Sequence, residues 1–568
     1  MRSLISELLA RAALTPEAPC VTTYSRRSGS ETRNHKELVL AARRAAAFLH
    51  AQGFRRGHVL VLMGTHHIDL YAVWLGCLWL GVIPTILAEP SVRVDKGIYW
   101  SRLGHLFSRI EAKALALAPS IKFDQQIAGI EPVFRYDEIA GGSGSTPDPV
   151  VPEADEVMLL QHSSGTTGLH KGVMLSHGAV LAHAESYSKA IELTRQDVIA
   201  TWLPLYHDMG LIACMVTPLI TGTPVVWLSP FEWVVNPALL LQVISDHRCT
   251  LAWLPNFAFN FLAQRVGSDQ SSLDLSSLRQ VINCSEPVRP ESMELFAKHF
   301  QSRGLDAKAL HTCYAMAETV FAISSSTADS PPRVRTIDAK VWQTEHRSAA
   351  VTAEGQQSLV HLSSGRCVDG CEVKVVSDSG EKLGAGIAGR LLVKSAFLFN
   401  GYHLREDLNQ SIFDSEGYFD TGDLGYTDDA GHIYVTGRSK DLIIVGGKNI
   451  YPQDVEALVN ELEHVRPGRV VCFGIGQGGL GTEGLIVLAE SEAAQELWPD
   501  LERNIRRAVT TNLDLDLLDA KVVSRELLQK STSGKLARGS NREWYLQGRF
   551  GPPPPALREQ TSQSSNSQ

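Results

Sequence analysis

The sequence predicts an α/β protein, and three observations carry that prediction. From about residue 35 to 325, apolar strand-like runs alternate with helical patterns, the texture of βα units built around several sheets. From about 358 to 436 the pattern changes to short alternating strands with Gly and Asp turns, as in CEVKVVSDSGEKLG and GRLLVKS. After Gly437 a compact segment of about 110 residues has strands and helices of its own. The expected architecture is therefore a large multi-sheet N-terminal domain with a β-rich subdomain, followed by a small α+β C-terminal domain.

The elements follow in order. MRSLISELLARAAL reads as a short amphipathic helix, because Glu7 and Arg11 interrupt its apolar residues; it does not read as a secretory signal. HVLVLM (58–63) is an apolar run suited to a strand buried on both faces. Residues 70–88, LYAVWLGCLWLGVIPTILA, carry no charge and come close to the length of a membrane span. Gly81 and Pro84 split that run into a buried helix through Leu80 and a strand from Val82 to Leu87, which completes a βαβ unit and predicts no membrane span. Further strands are expected at Val157–Leu160, Pro224–Leu228, Thr250–Leu254 and Gln280–Asn283, each followed by turn residues and a helix. In the last segment DLIIV, RVVCF and LIVLAE read as strands. The closing stretch GPPPPALREQTSQSSNSQ is polar and proline-led, so residues 549–568 are expected to be a disordered tail.

Composition excludes several functions. An apolar fraction of 44% across 568 residues supports buried cores and excludes a largely disordered chain. Lys+Arg 53 against Asp+Glu 62 gives a net charge of −9 without a long basic run, which argues against nucleic acid as a partner. Nine scattered cysteines with no CxxC pair argue against a disulfide framework or a zinc knuckle. Reduced structural thiols and the expected cytoplasmic location follow, Cys367 and Cys371 being the nearest pair. GIGQGG (474–479) fits GxGxxG, but a second strand follows almost at once where a dinucleotide site needs a helix, so it reads as a hairpin loop.

The densest chemical signal is QHSSGTTGLHKGVMLSH (161–177). A strand runs into a loop in which Gly165, Gly168 and Gly172 allow sharp turns and close ligand approach. Ser163, Ser164, Thr166 and Thr167 supply hydroxyl donors and Lys171 a positive charge, a combination suited to a polyphosphate. The spacing is not that of a Walker A loop, here or around Gly534 and Lys535.

SSGTTGLHKG resembles the phosphate loop of the adenylate-forming superfamily, which includes acyl-CoA synthetases, peptide-synthetase adenylation domains and fatty acyl-AMP ligases. Ser163 stands where the usual pattern has Thr, and His170 where it has Pro. The superfamily's other motifs occur in order. LPLYHDMGL (203–211) places His207 near the reacting carboxylate, and NCSEP (283–287) resembles the strand-turn whose backbone holds adenine, here at Ser285 and Glu286. CYAMAET (313–319) implies Tyr314 stacked on adenine and Glu318 as the Mg²⁺ ligand. YFDTGDLG (418–425) and GRSKD (437–441) put Asp423 and Arg438 on the ribose hydroxyls and Lys440 at an interdomain hinge. STSGKLAR (531–538) resembles the C-terminal motif whose lysine bridges carboxylate and α-phosphate, here Lys535. Singly these are weak matches; six or more in order over about 380 residues are a specific one.

The resemblance implies two bodies, residues 1–436 and a mobile C-terminal domain of 437–548. It implies catalysis by Lys535, His207 and Glu318, with ATP and Mg²⁺ required. A carboxylic acid becomes an acyl-adenylate with release of pyrophosphate, and a pantetheine thiol then takes the acyl group as the small domain rotates. LPLYHDMGL, NCSEP and KDLIIVGGKNIYPQD are most like the fatty acyl-AMP ligase branch, although CYAMAET departs from that branch's Y-G-L-A-E. The roughly 45 residues between Glu318 and SSGR (363–366) leave room for the branch's extra segment, which is thought to hinder rotation and disfavour CoA. The expected substrate is a fatty or related acid, and the expected acceptor an acyl carrier protein. No D-S-L-type attachment site follows Lys535, so the carrier is expected to be a separate protein. CoA as acceptor is the first alternative. A non-catalytic nucleotide-binding homologue is the second, and it predicts loss of Lys535, Glu318 or Asp423, all of which are present. Phe231, Trp233, Phe257, Phe259 and Phe261 fall where the family builds its acyl tunnel, and core packing explains them equally well.

Overall fold

A computed structural model describes residues 2–26, 29–64, 67–90, 96–123, 128–163, 171–267, 273–352, 356–445, 448–477, 482–513, 515–530 and 535–551. Two large, mostly parallel sheets form the N-terminal region. The first has nine strands, with Leu310–Ala315, Gln280–Asn283, Leu251–Leu254, Ile199–Thr201, Val225–Leu228 and Pro19–Ser25 running parallel at its centre. Antiparallel strands close both edges, Ala322–Ser325 with Arg366–Cys367 on one side and Gly29–Asn34 on the other. The second sheet has six strands in the order Val133–Arg135, Ala112–Leu117, Val59–Met63, Ile83–Leu87, Val157–Ser163 and Lys171–Ser176.

The uncharged stretch resolves as expected from its breakers. Asp69–Leu80 is a helix buried on every face, and Gly81 ends it in the left-handed region at φ 70. Gly76 lets it approach the neighbouring helix His35–Ala51, since a Cβ there would lie 2.7 Å from the Ala45 Cβ. No helix among the described residues is long and apolar enough to cross a membrane. One expected connection differs. Val157–Ser163 leads to an antiparallel partner, Lys171–Ser176, before the helix His177–Ala190 begins. The pairing adds a strand at the sheet edge, where the register joins Ser163 to Lys171 across the glycine-rich loop.

Residues 371–438 form a four-stranded antiparallel sheet, Cys371–Val376, Gly389–Ser395, Phe419–Thr427 and Ile433–Arg438. Its last strand runs two residues past the expected boundary at 436, and the pairing changes at the 3-10 turn Ser439–Asp441. Beyond that turn, Val465–Gln477, Thr482–Ser491 and Leu517–Ser524 make a three-stranded sheet. Helices Pro452–Asn460, Trp498–Leu513 and Arg538–Leu546 accompany it. The GIGQ of GIGQGG lies in an antiparallel hairpin that pairs Gln477 with Thr482; residues 478–481 of its loop, like 552–568 of the expected tail, lie outside the described residues. This region has its own apolar clusters, one around Val455, Leu485 and Ile505 and another around Phe473 and Tyr545.

Three buried imidazoles in the N-terminal region are held neutral by desolvation. His183 is pushed down to about 3, and His177 and His311 each to about 4. His183 is fully enclosed, and its Nε2 accepts the Ala322 N–H at 2.9 Å. Each folded-state pKa lies below the unfolded value of about 6.5. The stabilisation is therefore complete above that value and is lost as pH falls towards 4. Each histidine is expected to withdraw on the order of 1–2 kcal/mol by pH 5. Urea unfolding midpoints at pH 7.5 and pH 5 measure this, and His183→Gln is expected to flatten the dependence.

Candidate active site

The expected site residues sit on the ends of strands and on the loops that follow them. Gln280–Asn283 leads into Ser285, which adopts a left-handed backbone at φ 72. The Ser285 hydroxyl faces the sulfurs of Met209 and Cys284 at 3.7 and 3.9 Å. The Glu286 carboxylate accepts the Phe257 N–H at 3.0 Å at the start of the helix Asn256–Arg265, so this side chain anchors a helix while its backbone stays at the strand-turn.

Leu310–Ala315 carries Tyr314 to the same edge. The Tyr314 hydroxyl donates to Asp423 Oδ2 at 2.6 Å, and Arg438 Nε lies 3.3 Å from Oδ1 of the same carboxylate. The antiparallel register sets Asp423 directly opposite Arg438. Before Asp423 the chain turns at Gly422, φ 71, with the Asp423 N–H donating to Thr421 Oγ1 at 3.0 Å. Burial raises the Asp423 carboxyl pKa, and the charges and hydrogen bond of Arg438, Tyr314, Lys535 and Lys440 oppose that rise.

Glu318 follows Tyr314 on a strained turn. Val320, fully buried, has φ 63 and ψ −56, with the Phe321 N–H donating to the Thr319 carbonyl at 2.7 Å. This is a γ-turn in its unfavourable hand, and a β-branched residue at its centre costs roughly 1–3 kcal/mol. The turn presents the half-buried Glu318 carboxylate, whose Oε1 accepts the Tyr402 hydroxyl at 2.9 Å. Burial raises its pKa; Tyr402 and Arg438 oppose the rise and Asp208 adds to it.

His207 and Asp208 precede a π-helix, Met209–Val216. Gly210 is required there, because a Cβ would meet the Pro204 carbonyl oxygen at 2.3 Å. The Tyr206 carbonyl accepts Gln161 Nε2 at 2.8 Å, tying the His207 segment to the strand that enters the glycine-rich loop. The His207 ring lies 4.8 Å from that of Tyr206. Burial raises the Asp208 pKa, and Lys535 is the largest influence opposing it. Lys535 is exposed, and its charge acts on both the Asp208 and the Asp423 carboxyl groups. Lys440 lies within the field of Arg438, Asp423 and Lys171.

Four cations, Lys171, Arg438, Lys440 and Lys535, thus surround three carboxylates, Asp208, Glu318 and Asp423. Such an array suits a polyanion carrying a divalent ion, since both signs are present and only Arg438 and Asp423 are seen paired among these groups. The donors expected of Ser164, Gly165, Thr166, Thr167 and Gly168 lie outside the described residues, as does His170; Ser163 is described only through its strand backbone. The aromatic group expected near an acyl tunnel divides. Trp233 is enclosed and stacked on Trp202 at 3.7 Å, Phe259 packs on Phe296, and Phe231 is 58% exposed. Sequence reasoning missed Asp208 and Tyr402; Asp208 adjoins His207 in a quoted motif, whereas only tertiary structure joins Tyr402 to Glu318.

The chain is similar to known proteins along most of its length. The family described as AMP-binding enzyme matches residues 8–403. The medium-chain-fatty-acid–[acyl-carrier-protein] ligase JamA of Moorena producens is 30% identical over 552 residues, covering 91% of this chain and 90% of its own. A structure from studies of fatty acyl-adenylate ligases of E. coli and L. pneumophila superposes with a TM-score of 0.89 at 25% identity, covering 96% of this chain and 98% of that one. The L. pneumophila fatty acyl-adenylate ligase in complex with acyl adenylate and pyrophosphate gives a TM-score of 0.74 at 28% identity, with 96% of each chain covered. With a single family spanning the glycine-rich loop, Tyr314, Glu318 and Tyr402, this chain belongs to the AMP-binding enzyme family.

Proposed function

We propose that the protein is an ATP-dependent acyl-AMP ligase that activates a fatty acid and passes the acyl group to a pantetheine thiol on a separate acyl carrier protein. The observation that carries this reading is the joining of Tyr314 and Arg438 on the Asp423 carboxylate, within the field of Lys440 and Lys535, and of Glu318 through Tyr402 to Lys171 at the exit of the glycine-rich loop. The acyl-carrier ligase relative and the structural neighbour bound to acyl adenylate support it.

In the first half-reaction the substrate carboxylate attacks the α-phosphorus, the bond to the β-phosphate oxygen breaks, and pyrophosphate leaves. No protein nucleophile is needed; positioning and charge supply the catalysis. Tyr314 and the 283–287 strand-turn hold the adenine, and Asp423 with Arg438 holds the ribose. Lys171 and the hydroxyl loop hold the phosphates, and Lys535 spans the attacking carboxylate and the α-phosphate. His207 borders the acyl carboxylate. Glu318 would hold the metal ion: Tyr402 donates to its Oε1, and the second carboxylate oxygen, which accepts no side-chain hydrogen bond among the described residues, can serve as a single protein ligand. That donor set fits Mg²⁺, which takes one or two carboxylates and completes its shell with phosphate and water. Bound there, the ion neutralises charge on the phosphates.

In the second half-reaction the pantetheine thiolate attacks the acyl carbonyl and AMP leaves. We assign the rotation to a C-terminal body of residues 437–548, turning at Lys440 against the 1–436 body. The separate apolar clusters beyond Ile443 support that division. The nine cysteines are free thiols, seven of them buried, which suits a reducing compartment and a cytoplasmic enzyme.

ATP–pyrophosphate exchange over a panel of fatty, aromatic and amino acids tests the reading. Exchange driven by fatty acids is expected. Silence across the panel would favour a non-catalytic homologue, and equal acyl transfer to CoA and to carrier would favour a CoA ligase.

A further inference from the structure

Residues 399–403 bracket two parts of the site that lie far apart in sequence. On one side the Phe399 N–H donates to the Glu318 carbonyl at 2.9 Å. On the other, the Asn400 N–H donates to the Met174 carbonyl at 2.9 Å, Met174 N–H to Gly401 at 3.0 Å, and His403 N–H to Gly172 at 2.8 Å. The segment therefore bridges Lys171–Ser176, Tyr402 lying antiparallel to Val173, and clamps the Glu318 backbone at once. Asn409 fixes Tyr402 within it, accepting the Tyr402 N–H at 2.8 Å and donating to the Tyr402 carbonyl at 2.9 Å.

The Tyr402 side chain uses both of its chemical faces. Its hydroxyl donates to Glu318 Oε1 at 2.9 Å, while the Lys171 ammonium lies 4.6 Å from its ring centroid. A lysine and a glutamate near one another in a low-dielectric site tend to pair and cancel. Tyr402 stands between these two, holding the cation on its π face and the carboxylate on its hydroxyl.

We propose that Tyr402 is a positioning residue that keeps Lys171 and Glu318 apart, so that the lysine is available to phosphate and the glutamate to Mg²⁺. The inference rests on the nucleotide-binding reading above. It assigns separate consequences to the two halves of one side chain. Loss of the hydroxyl releases Glu318 alone; loss of the ring releases Lys171 as well.

Calorimetric titration of the full chain with a non-hydrolysable ATP analogue, with and without Mg²⁺, tests this independently of turnover. Tyr402→Phe is expected to weaken binding of the Mg²⁺ complex about tenfold, the worth of one hydrogen bond to a charged group, and to leave metal-free binding unchanged. Tyr402→Leu is expected to weaken both. Far-ultraviolet dichroism and thermal melting establish that the Phe variant, which retains the buried ring, is folded. Wild-type affinity for the Mg²⁺ complex in Tyr402→Phe, or equal losses with and without metal, would overturn the role of Tyr402 while leaving the nucleotide site intact. Failure of the wild-type chain to bind the analogue at all would overturn the nucleotide reading and this proposal together.

Discussion

Replacement of Lys535 by alanine is expected to lower acyl-adenylate formation by about 10²–10³-fold, the usual cost of removing one preorganised electrostatic group from a developing anionic centre. The expectation rests on placement. Lys535 is exposed, and its charge opposes the burial-driven rise of both the Asp208 and the Asp423 carboxyl groups, which puts it within reach of the field at both. A cation there meets an incoming carboxylate and a polarised phosphate together, and it gains most from the charge present in the transition state. Once acyl-adenylate exists, that work is finished. Transfer from purified acyl-adenylate to the carrier is expected to stay within about twofold of wild type, because the proposed rotation withdraws the lysine before the thiol step. Pyrophosphate exchange and single-turnover transfer separate the halves. Equal losses in both would place Lys535 in general acyl-adenylate binding, and an undiminished exchange would remove it from the first half-reaction.

The neighbourhood of Lys535 also explains how the chain carries it there. Arg538 donates to Asp441 Oδ2 at 2.8 Å, Glu456 Oε1 at 2.7 Å and the Cys472 carbonyl at 2.7 Å. Asp441 adjoins Lys440, so the lysine-bearing segment is fastened to the turn at which the pairing changes.

Much of this was legible in the sequence because its signals are local. Gln280–Asn283 has the bounds its apolar run predicts, and the helix Asp69–Leu80 stops where Gly81 supplies a left-handed cap. Asp423 and Arg438 were recognisable from resemblance, but their apposition is set by the antiparallel register of the consecutive strands Phe419–Thr427 and Ile433–Arg438, which a bulge between Leu424 and Gly425 shifts. The edge strand Lys171–Ser176 escaped as an element because its pairing crosses a loop of small residues that resembles a simple turn. Tyr402 carried no signal at all; a Gly-Tyr pair in a loop acquires meaning only when 84 residues of separation close onto Glu318. Phe231 shows the reverse error, an aromatic residue grouped with buried neighbours that faces outwards.

Acceptor choice supplies the second large effect. The segment between Glu318 and Ser363 folds as a strand pair, Val334–Asp338 with Ser358–Leu362, and a helix, Ala339–Glu345. It packs on the C-terminal region. Trp342 is enclosed by His361, Tyr426 and Tyr451, its ring centroid 5.3 Å from that of Tyr451. Gln343 Nε2 donates to the Leu513 carbonyl at 3.3 Å and Gln357 Nε2 to the Thr511 carbonyl, satisfying carbonyls that have no intrahelical partner at the end of the helix Trp498–Leu513. Under the proposed rotation of the 437–548 body these contacts would be broken, so they bias the chain against it. Two neutral hydrogen bonds are worth about 2 kcal/mol together, a factor of roughly 30 in the population of the rotated state. The carrier can offset that bias with contacts of its own, whereas CoA has far less surface to do so. Gln343→Ala combined with Gln357→Ala is therefore expected to raise transfer to CoA about tenfold or more, with adenylation unchanged and carrier transfer little altered. Trp342→Ala is expected to go further but to destabilise the fold by about 3–5 kcal/mol, which makes the glutamine pair the cleaner test. Transfer assays from preformed acyl-adenylate measure the ratio, and a CoA rate unmoved by the double variant would show that these contacts do not govern acceptor choice.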